Sequence, residues 1–435
     1  SVVGGNAGSF EWQGHFLDFG SHRLHPATDP AILAEIRALL GSELLDRPRH
    51  GRIRLRGRWI HFPLKPVDLV LRADKAFAAG TVLDMARKAT RGTRAHGETF
   101  ASVLEANLGP TICRDFYFPY AVKIWGHGPE ELSAIQARRR VAAGSFGKLI
   151  KKILGSVPGL KKPGAGRFYY PRRGFGAITE AYARAAQESG ADLRLGCRVT
   201  GLRRDGDGWM VSALQGNEMT TMHTDMVWST LPVTLLPRIV EPAAPEAIRQ
   251  SAESMRFRSM ILVYLLVPRG QFTEFDAHYF PGADIPITRL SEPKNYAVRS
   301  EPRGSTVLCA ELPCSTSDDW WTMSDADLGH VVGQSLKQAG IPLPAPPSAV
   351  LTRRLTHAYP IYLNGYEAAF EPVDAWASGL PNLLSYGRQG LFAHDNTHHA
   401  LAMAYAAADC LRDGVFDTAR WADYRREFES HVVED

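Results

Sequence analysis

Cysteine, lysine and long apolar runs are all scarce in this chain, and each scarcity excludes something. Five cysteines in 435 residues (Cys113, Cys197, Cys309, Cys314, Cys410) are odd in number and scattered, and none falls in a Cys-x-x-Cys or Cys-x-x-x-His spacing. That argues against a disulfide scaffold and a cysteine-based metal site, and it fits a reducing, cytoplasmic setting. The longest apolar runs, such as Met260 to Val267, stop short of the roughly 18–20 residues that a membrane-spanning helix needs. No opening stretch reads as a signal peptide. Lysine supplies only 11 of the 50 cations. The 39 arginines either present planar forks to carboxylate or phosphate ligands or reflect a GC-rich genome. A formal net charge of +4 with no nucleic-acid motif gives no ground for a nucleic-acid partner.

What is present describes a globular protein: 45% apolar residues, a mean hydropathy of −0.19, and a length suited to about two to four domains. Apolar periodicity alternates between strand-like and helix-like stretches, which predicts an α/β or α+β chain. Phe10 to Gly20 reads as a hairpin, and Arg52–Arg56 with Trp59–Phe62 reads as a second one around a two-residue turn at Gly57-Arg58. From Pro66 to about Lys162 the pattern is helical. Ala177 to Ser189 predicts a helix closed by Gly190, followed by strands at Asp192–Leu195, Arg198–Arg203 and Trp209–Leu214. Met226–Thr230 reads as a buried strand, Ser259 to Leu312 as strand-rich, and Pro342–Pro347 as a linker or long loop. Asn382–Tyr386 reads as a strand, Gly387–Gly390 as a tight turn, and His399–Leu411 as a helix. A helix entered in this way aims its free N–H groups at whatever ligand sits at the turn.

Val2-Val3-Gly4-Gly5-Asn6-Ala7-Gly8 is not a dinucleotide fingerprint, because a hairpin rather than a helix follows it. Four blocks in order nevertheless resemble one family. They are Gly4-Gly5 with Gly14 to Arg23; Arg58 to Pro66; Phe118 to Gly126 with Pro129 to Ser133; and Gly387-Arg388-Gln389-Gly390 through Asn396 and His399. Together they resemble the flavin-dependent superfamily of amine oxidases, protoporphyrinogen oxidase and UDP-galactopyranose mutase. Where that family commonly has an Arg-Tyr pair after the glycine turn, this chain has Ala393 and His394. In the family a Gly-x-Gly-x-x-Gly unit precedes these blocks. The expectation is therefore a chain lacking roughly the first 40 residues of a complete enzyme, the order of a βαβ unit.

The resemblance implies an FAD/NAD(P)-binding Rossmann-like flavoprotein fold with a strand-rich substrate domain and a helical lobe. Residues 1–48, 165–235 and 375–435 would form a discontinuous FAD domain, 49–66 and 236–374 the substrate sheet, and 67–164 the lobe. Non-covalent FAD is the implied cofactor, with Gly4, Gly5, His22, Arg23, Val199, Pro232, Gly387, Arg388, Gly390, Asn396 and His399 as its contacts. Asn396 also suits a plain helix cap. Trp125, Tyr170, Arg172 and Tyr359 are the implied substrate residues, and no metal is expected. Three readings of function follow: oxidation of a small organic substrate by hydride transfer to flavin N5; a nucleotide-sugar mutase using reduced flavin; or a non-catalytic remnant unable to hold flavin. The oxidase requires an apolar pocket, whereas the mutase requires at least two arginines on a diphosphate. Residues 145–157, apolar on one face with Lys148, Lys151 and Lys152 opposite, read first as a lobe helix and second as a peripheral membrane contact.

Overall fold

The computed structural model describes residues 2–62, 72–91, 98–140 and 166–433. The basic segment 145–157 and the end of the block running to Pro66 lie outside the described residues. Both expected hairpins form, the second with its turn at Arg56-Gly57, one residue earlier than the expected Gly57-Arg58. Ser9–Trp12 returns as His15–Asp18 through Gln13-Gly14, at φ 52° and 73°, and Gly51–Leu55 returns as Arg58–Phe62 through Arg56-Gly57, at φ 48° and 76°. Two consecutive left-handed residues twist a tight turn in the sense that the flanking strands already have.

The second hairpin forms one edge of a seven-stranded sheet. Its order is Ala349–Ile361, Arg256–Val267, Thr306–Cys314, Arg289–Ser291, Ala277–Tyr279, Gly51–Leu55 and Arg58–Phe62. All neighbours run antiparallel except Ala277–Tyr279 beside Gly51–Leu55. Ile261, Val263 and Leu265 face one way, with Leu308, Ala310 and Leu312, onto Leu328, Val332 and Leu336 of the helix Asp325–Gln338. Met260, Leu262 and Tyr264 face the other way onto Leu17 and Phe10 of the first hairpin. Burial on both faces is why this strand reads as a continuous apolar run rather than an alternating one.

The first hairpin is fastened to the turn Gly174–Gly176. Asp18 accepts hydrogen bonds from Ser9 Oγ (2.5 Å), Tyr170 Oη (2.6 Å) and the Phe175 N–H (2.8 Å). A Cβ on Gly176 would stand 2.3 Å from the Ser9 nitrogen, so only glycine allows the two backbones to meet. The helix Ala177–Glu188 follows and ends before Gly190 at φ 97°.

The strand expected at Asp192–Leu195 does not form. Leu193 and Leu195 are 42% and 45% exposed, and a strand without a hydrogen-bonded neighbour has nothing to hold it extended. Cys197–Asp205, Gly208–Gln215 and Glu218–Thr224 make an antiparallel meander, with Val240–Glu241 added in parallel to the first strand.

Val227–Ser229 and Leu383–Ser385 pair in parallel. After the second of these, Gly387–Gly390 makes a single helical turn, and helices Thr397–Asp409 and Thr418–Phe428 close the described chain. The long helix begins two residues before the expected His399. The described part of 67–164 carries helices Lys75–Arg91, Phe100–Leu108, Phe118–Trp125 and Ala134–Arg140. Leu104, Ile124, Trp125 and Ala137 pack there with Ile361 at the end of the large sheet.

Candidate functional site

Three separate stretches converge at the start of helix Thr397–Asp409. The parallel pair comes first. A Cβ on Gly390 would lie 3.0 Å from Ser385 Oγ, 3.3 Å from Ser229 O and 3.6 Å from Leu231 O, so the turn after one strand sits directly on the exit of the other. Pro232 caps the short helical turn Val233–Leu235 at that exit. Gly387 adopts φ 78°, which a side chain rarely tolerates.

The second stretch is the end of the large sheet. Arg388 Nη2 donates to Ala358 O at 2.7 Å, and its guanidinium lies 5.1 Å over the Tyr359 ring. Tyr359 stacks on His394 at 5.2 Å, and Trp125 from the helical region meets the opposite partner, His394, at 6.2 Å edge-on. Tyr362 ties this corner down: its hydroxyl donates to Phe392 O (2.7 Å) and accepts from the His394 N–H (3.1 Å). Arg388, Tyr359, His394 and Trp125 thus form one aromatic and cationic wall.

The third stretch is the N-terminal segment. His25 stacks on His398 at 5.7 Å, His398 lies 4.0 Å from His399, and His399 stacks on His431 at 4.2 Å. Asn396 and His399 form a reciprocal capping box, in which the Asn396 N–H donates to His399 Nδ1 at 3.2 Å. Burial holds both imidazoles in their neutral form, His398 lowered to about 3 and His399 to about 4. Beneath them lies Asp395, whose side chain is wholly buried, with Oδ2 3.2 Å from His431 Nδ1 and Oδ1 3.6 Å from His399 Nδ1.

The other expected residues are dispersed. A Cβ on Gly4 would stand 2.4 Å from Thr179 Oγ1, so Gly4 abuts the first turn of Ala177–Glu188; the neighbouring Gly5 (φ 54°) is exposed, with nothing within 4 Å of a built Cβ. His22 bonds Phe19 O at 2.9 Å beside the Phe175 ring. Arg23 donates to Tyr296 Oη (3.0 Å) and Tyr279 Oη (3.3 Å), and faces Asp276 at 3.4 Å. Val199 is 37% exposed on its strand.

Two of the four expected substrate residues stand apart from the wall. Tyr170 is fully buried with its hydroxyl on Asp18, so it serves the core rather than a ligand surface. Arg172 is exposed beside Glu43 at 3.9 Å. Both follow from the strand Arg167–Pro171, which holds Tyr170 and ends just before Arg172, and which pairs with Leu44–Pro48 rather than with the large sheet. His394, Asp395 and His431 were not singled out from the sequence as site residues. His394 appeared only as a departure from the family pattern, and no local spacing links positions 395 and 431. Lys123 was likewise passed over; its Nζ donates to Phe280 O (2.5 Å) and Gly282 O (2.6 Å), and burial lowers it to about 7.

Helix and strand in this arrangement define a fold shared with flavin-dependent oxidases and a mutase. The structure matches that of a reduced UDP-galactopyranose mutase with a TM-score of 0.76 at 18% identity, over 94% of this chain and 86% of the other. It matches a protein described as a protoporphyrinogen oxidase from Exiguobacterium (TM-score 0.69, 17% identity, 96% and 90% covered). It also matches cyclohexylamine oxidase from Brevibacterium oxydans (0.60, 16%, 94% and 89%). No curated protein matches the chain. The model of the flavin containing amine oxidoreductase family matches residues 1–408, and the chain belongs to that family. Among the described residues no helix is long and apolar enough to cross a membrane.

Proposed function

We propose that the chain is an FAD-dependent oxidoreductase that oxidises a small organic substrate. Membership of a flavin-containing family supports the cofactor, and the local chemistry fits it. Gln389 Oε1 is buried without a hydrogen-bond partner, although its Nε2 is used on His357 O at 2.7 Å, leaving an acceptor for a polar ring edge. Gly387, Gln389 and the start of helix Thr397–Asp409 would hold the isoalloxazine, and the exposed Gly4-Gly5 turn the phosphate side. The flavin, when bound, supplies the electron sink for hydride from a C–H or amine carbon.

The chain's own part is to orient the substrate and keep water from it. Tyr359 offers a half-buried ring face, backed by the buried His394 and Trp125, and Arg388 is held against Tyr359 by its hydrogen bond to Ala358 O. That wall is the observation carrying the oxidase reading over the mutase. A diphosphate clamp needs two arginines at the site, and of the two expected ones only Arg388 lies at the wall, whereas Arg172 stands at the surface beside Glu43. In this reading 1–48, 165–235 and 375–435 bind the cofactor, 49–66 and 236–374 the substrate, and 67–164 covers the site.

The test is flavin content by absorbance, followed by anaerobic mixing with amines and porphyrinogens. Bleaching of the oxidised flavin by one of these substrates is expected. Isomerisation of a nucleotide sugar by the dithionite-reduced protein, with no net redox change, would overturn the oxidase assignment in favour of the mutase. Protein that holds no flavin after incubation with FAD would leave the remnant reading.

A further inference from the structure

We infer that Asp395, His399 and His431 form a binding site for a divalent first-row transition ion such as Zn2+, joining the C-terminal segment to the start of helix Thr397–Asp409. One ligand atom from each residue lies within 4.8 Å of the other two. Donors around an ion with bonds of about 2.0–2.2 Å stand roughly 3–3.5 Å apart, so the set, which spans up to 4.8 Å with His431 3.2 Å from Oδ2 and His399 3.6 Å from Oδ1, closes by about 1 Å around the ion. One carboxylate with two imidazoles is a donor set that suits zinc or iron(II) and leaves positions open for water.

The second observation is independent of the clustering. The Asp395 side chain is wholly buried, yet its Oδ1 has no hydrogen-bond partner. Among the described residues no lysine or arginine pairs with this carboxylate; its ion-pair neighbours are the two histidines alone. A buried carboxylate short of donors and of a fixed cation is costly to keep. A metal ion supplies both the missing charge and the missing bond.

The local framework is also of the right kind. His431 follows helix Thr418–Phe428, and two residues on the Val433 N–H donates to Arg139 O at 2.7 Å, so the ion would tether this tail where it already touches helix Ala134–Arg140. The two imidazoles lie 13° from parallel, so coordination turns the rings to converge, and His399 exchanges its 3.2 Å hydrogen bond from the Asn396 N–H for the ion. The inference rests on these three side chains and not on the flavin reading.

The experiment uses the full, tag-free chain, stripped with a chelator and dialysed against Zn2+, with metal content, flavin content and thermal midpoint measured on each sample. One tightly held Zn2+ per chain and a raised midpoint are expected. His431→Ala, a mild change close to the chain end, should weaken binding at least tenfold, on the order seen when a site loses a supporting group. Asp395→Asn should do the same, whereas His330→Ala, on an exposed helix face, should not. Binding that is absent from the wild type, or undiminished in His431→Ala, overturns the site whatever the flavin content.

Discussion

Two buried aspartates in this protein live opposite lives. Asp18 is 1% exposed and saturated by Ser9 Oγ, Tyr170 Oη and the Phe175 N–H, three bonds that oppose the upward pKa shift imposed by its burial. Asp395 is 5% exposed and keeps an oxygen with no hydrogen bond, beside His399, which burial holds neutral. The first clamps the N-terminal hairpin onto the turn before helix Ala177–Glu188. The second sits where three chain segments meet beside the aromatic wall. A carboxylate recruited for architecture is given all the donors that its surroundings can supply, while one left short of them marks a place made for something else.

The comparison breaks most readily in stability measurements. Asp18→Ala leaves the Tyr170 and Ser9 hydroxyls and the Phe175 N–H stranded in the core, and should cost about 3–5 kcal/mol in urea unfolding. Asp395→Asn, in metal-free protein, removes an uncompensated charge and should cost under about 1 kcal/mol. Equal losses would erase the distinction.

His278 extends the contrast to a base. It is 2% exposed in the large sheet, its Nε2 lacks a partner, and burial followed by the nearby Arg52 lowers it to about 3. Between its ordinary value of 6.5 and about 3, the unfolded chain binds a proton that the native state refuses, so stability falls as pH falls. The loss should reach up to roughly 4 kcal/mol, and His278→Leu should flatten that part of the pH profile.

The aromatic wall is sharpened by activity. Tyr359→Ala removes the ring beneath Arg388 and beside His394, and should lower kcat/KM on the order of 100-fold through misplacement of the substrate. Arg172→Ala, at the surface, should stay within about twofold, the scale of an ordinary surface substitution. A large effect at Arg172 would return it to the site and revive the diphosphate clamp.

Much of the fold was legible in the residues because its signals are local. Both hairpins form where they were expected, although the second turns at Arg56-Gly57, one residue before the expected Gly57-Arg58, because both central residues of that turn take left-handed backbone angles. Asn396 three residues before His399 marks a helix start, although the expected start at His399 lay two residues late because the capping side chains themselves begin the turn. Asp192–Leu195 misled for the complementary reason: its composition suits a strand, but strandedness belongs to a pair and no neighbour is there. The site was legible only where a motif carried it. Arg388 and Tyr359, expected at the site, lie against each other, whereas Tyr170 looked like a ligand-facing ring and proved to be a core hydrogen-bond donor.

The sequence by itself determined the two hairpins, with the second turn within one residue, the helix limits within a residue or two, an apolar run too short to span a membrane, and membership of a flavin-containing family. These depend on backbone preference and on short-range order, which a linear reading contains. Only the tertiary structure decided that Asp18 would be saturated and Asp395 left wanting, that Trp125 would meet His394, and that His431 would lie against a carboxylate 36 residues before it. Those outcomes depend on which surfaces the packed elements bring together, and burial assigns a carboxylate its partners only after the chain has closed around it.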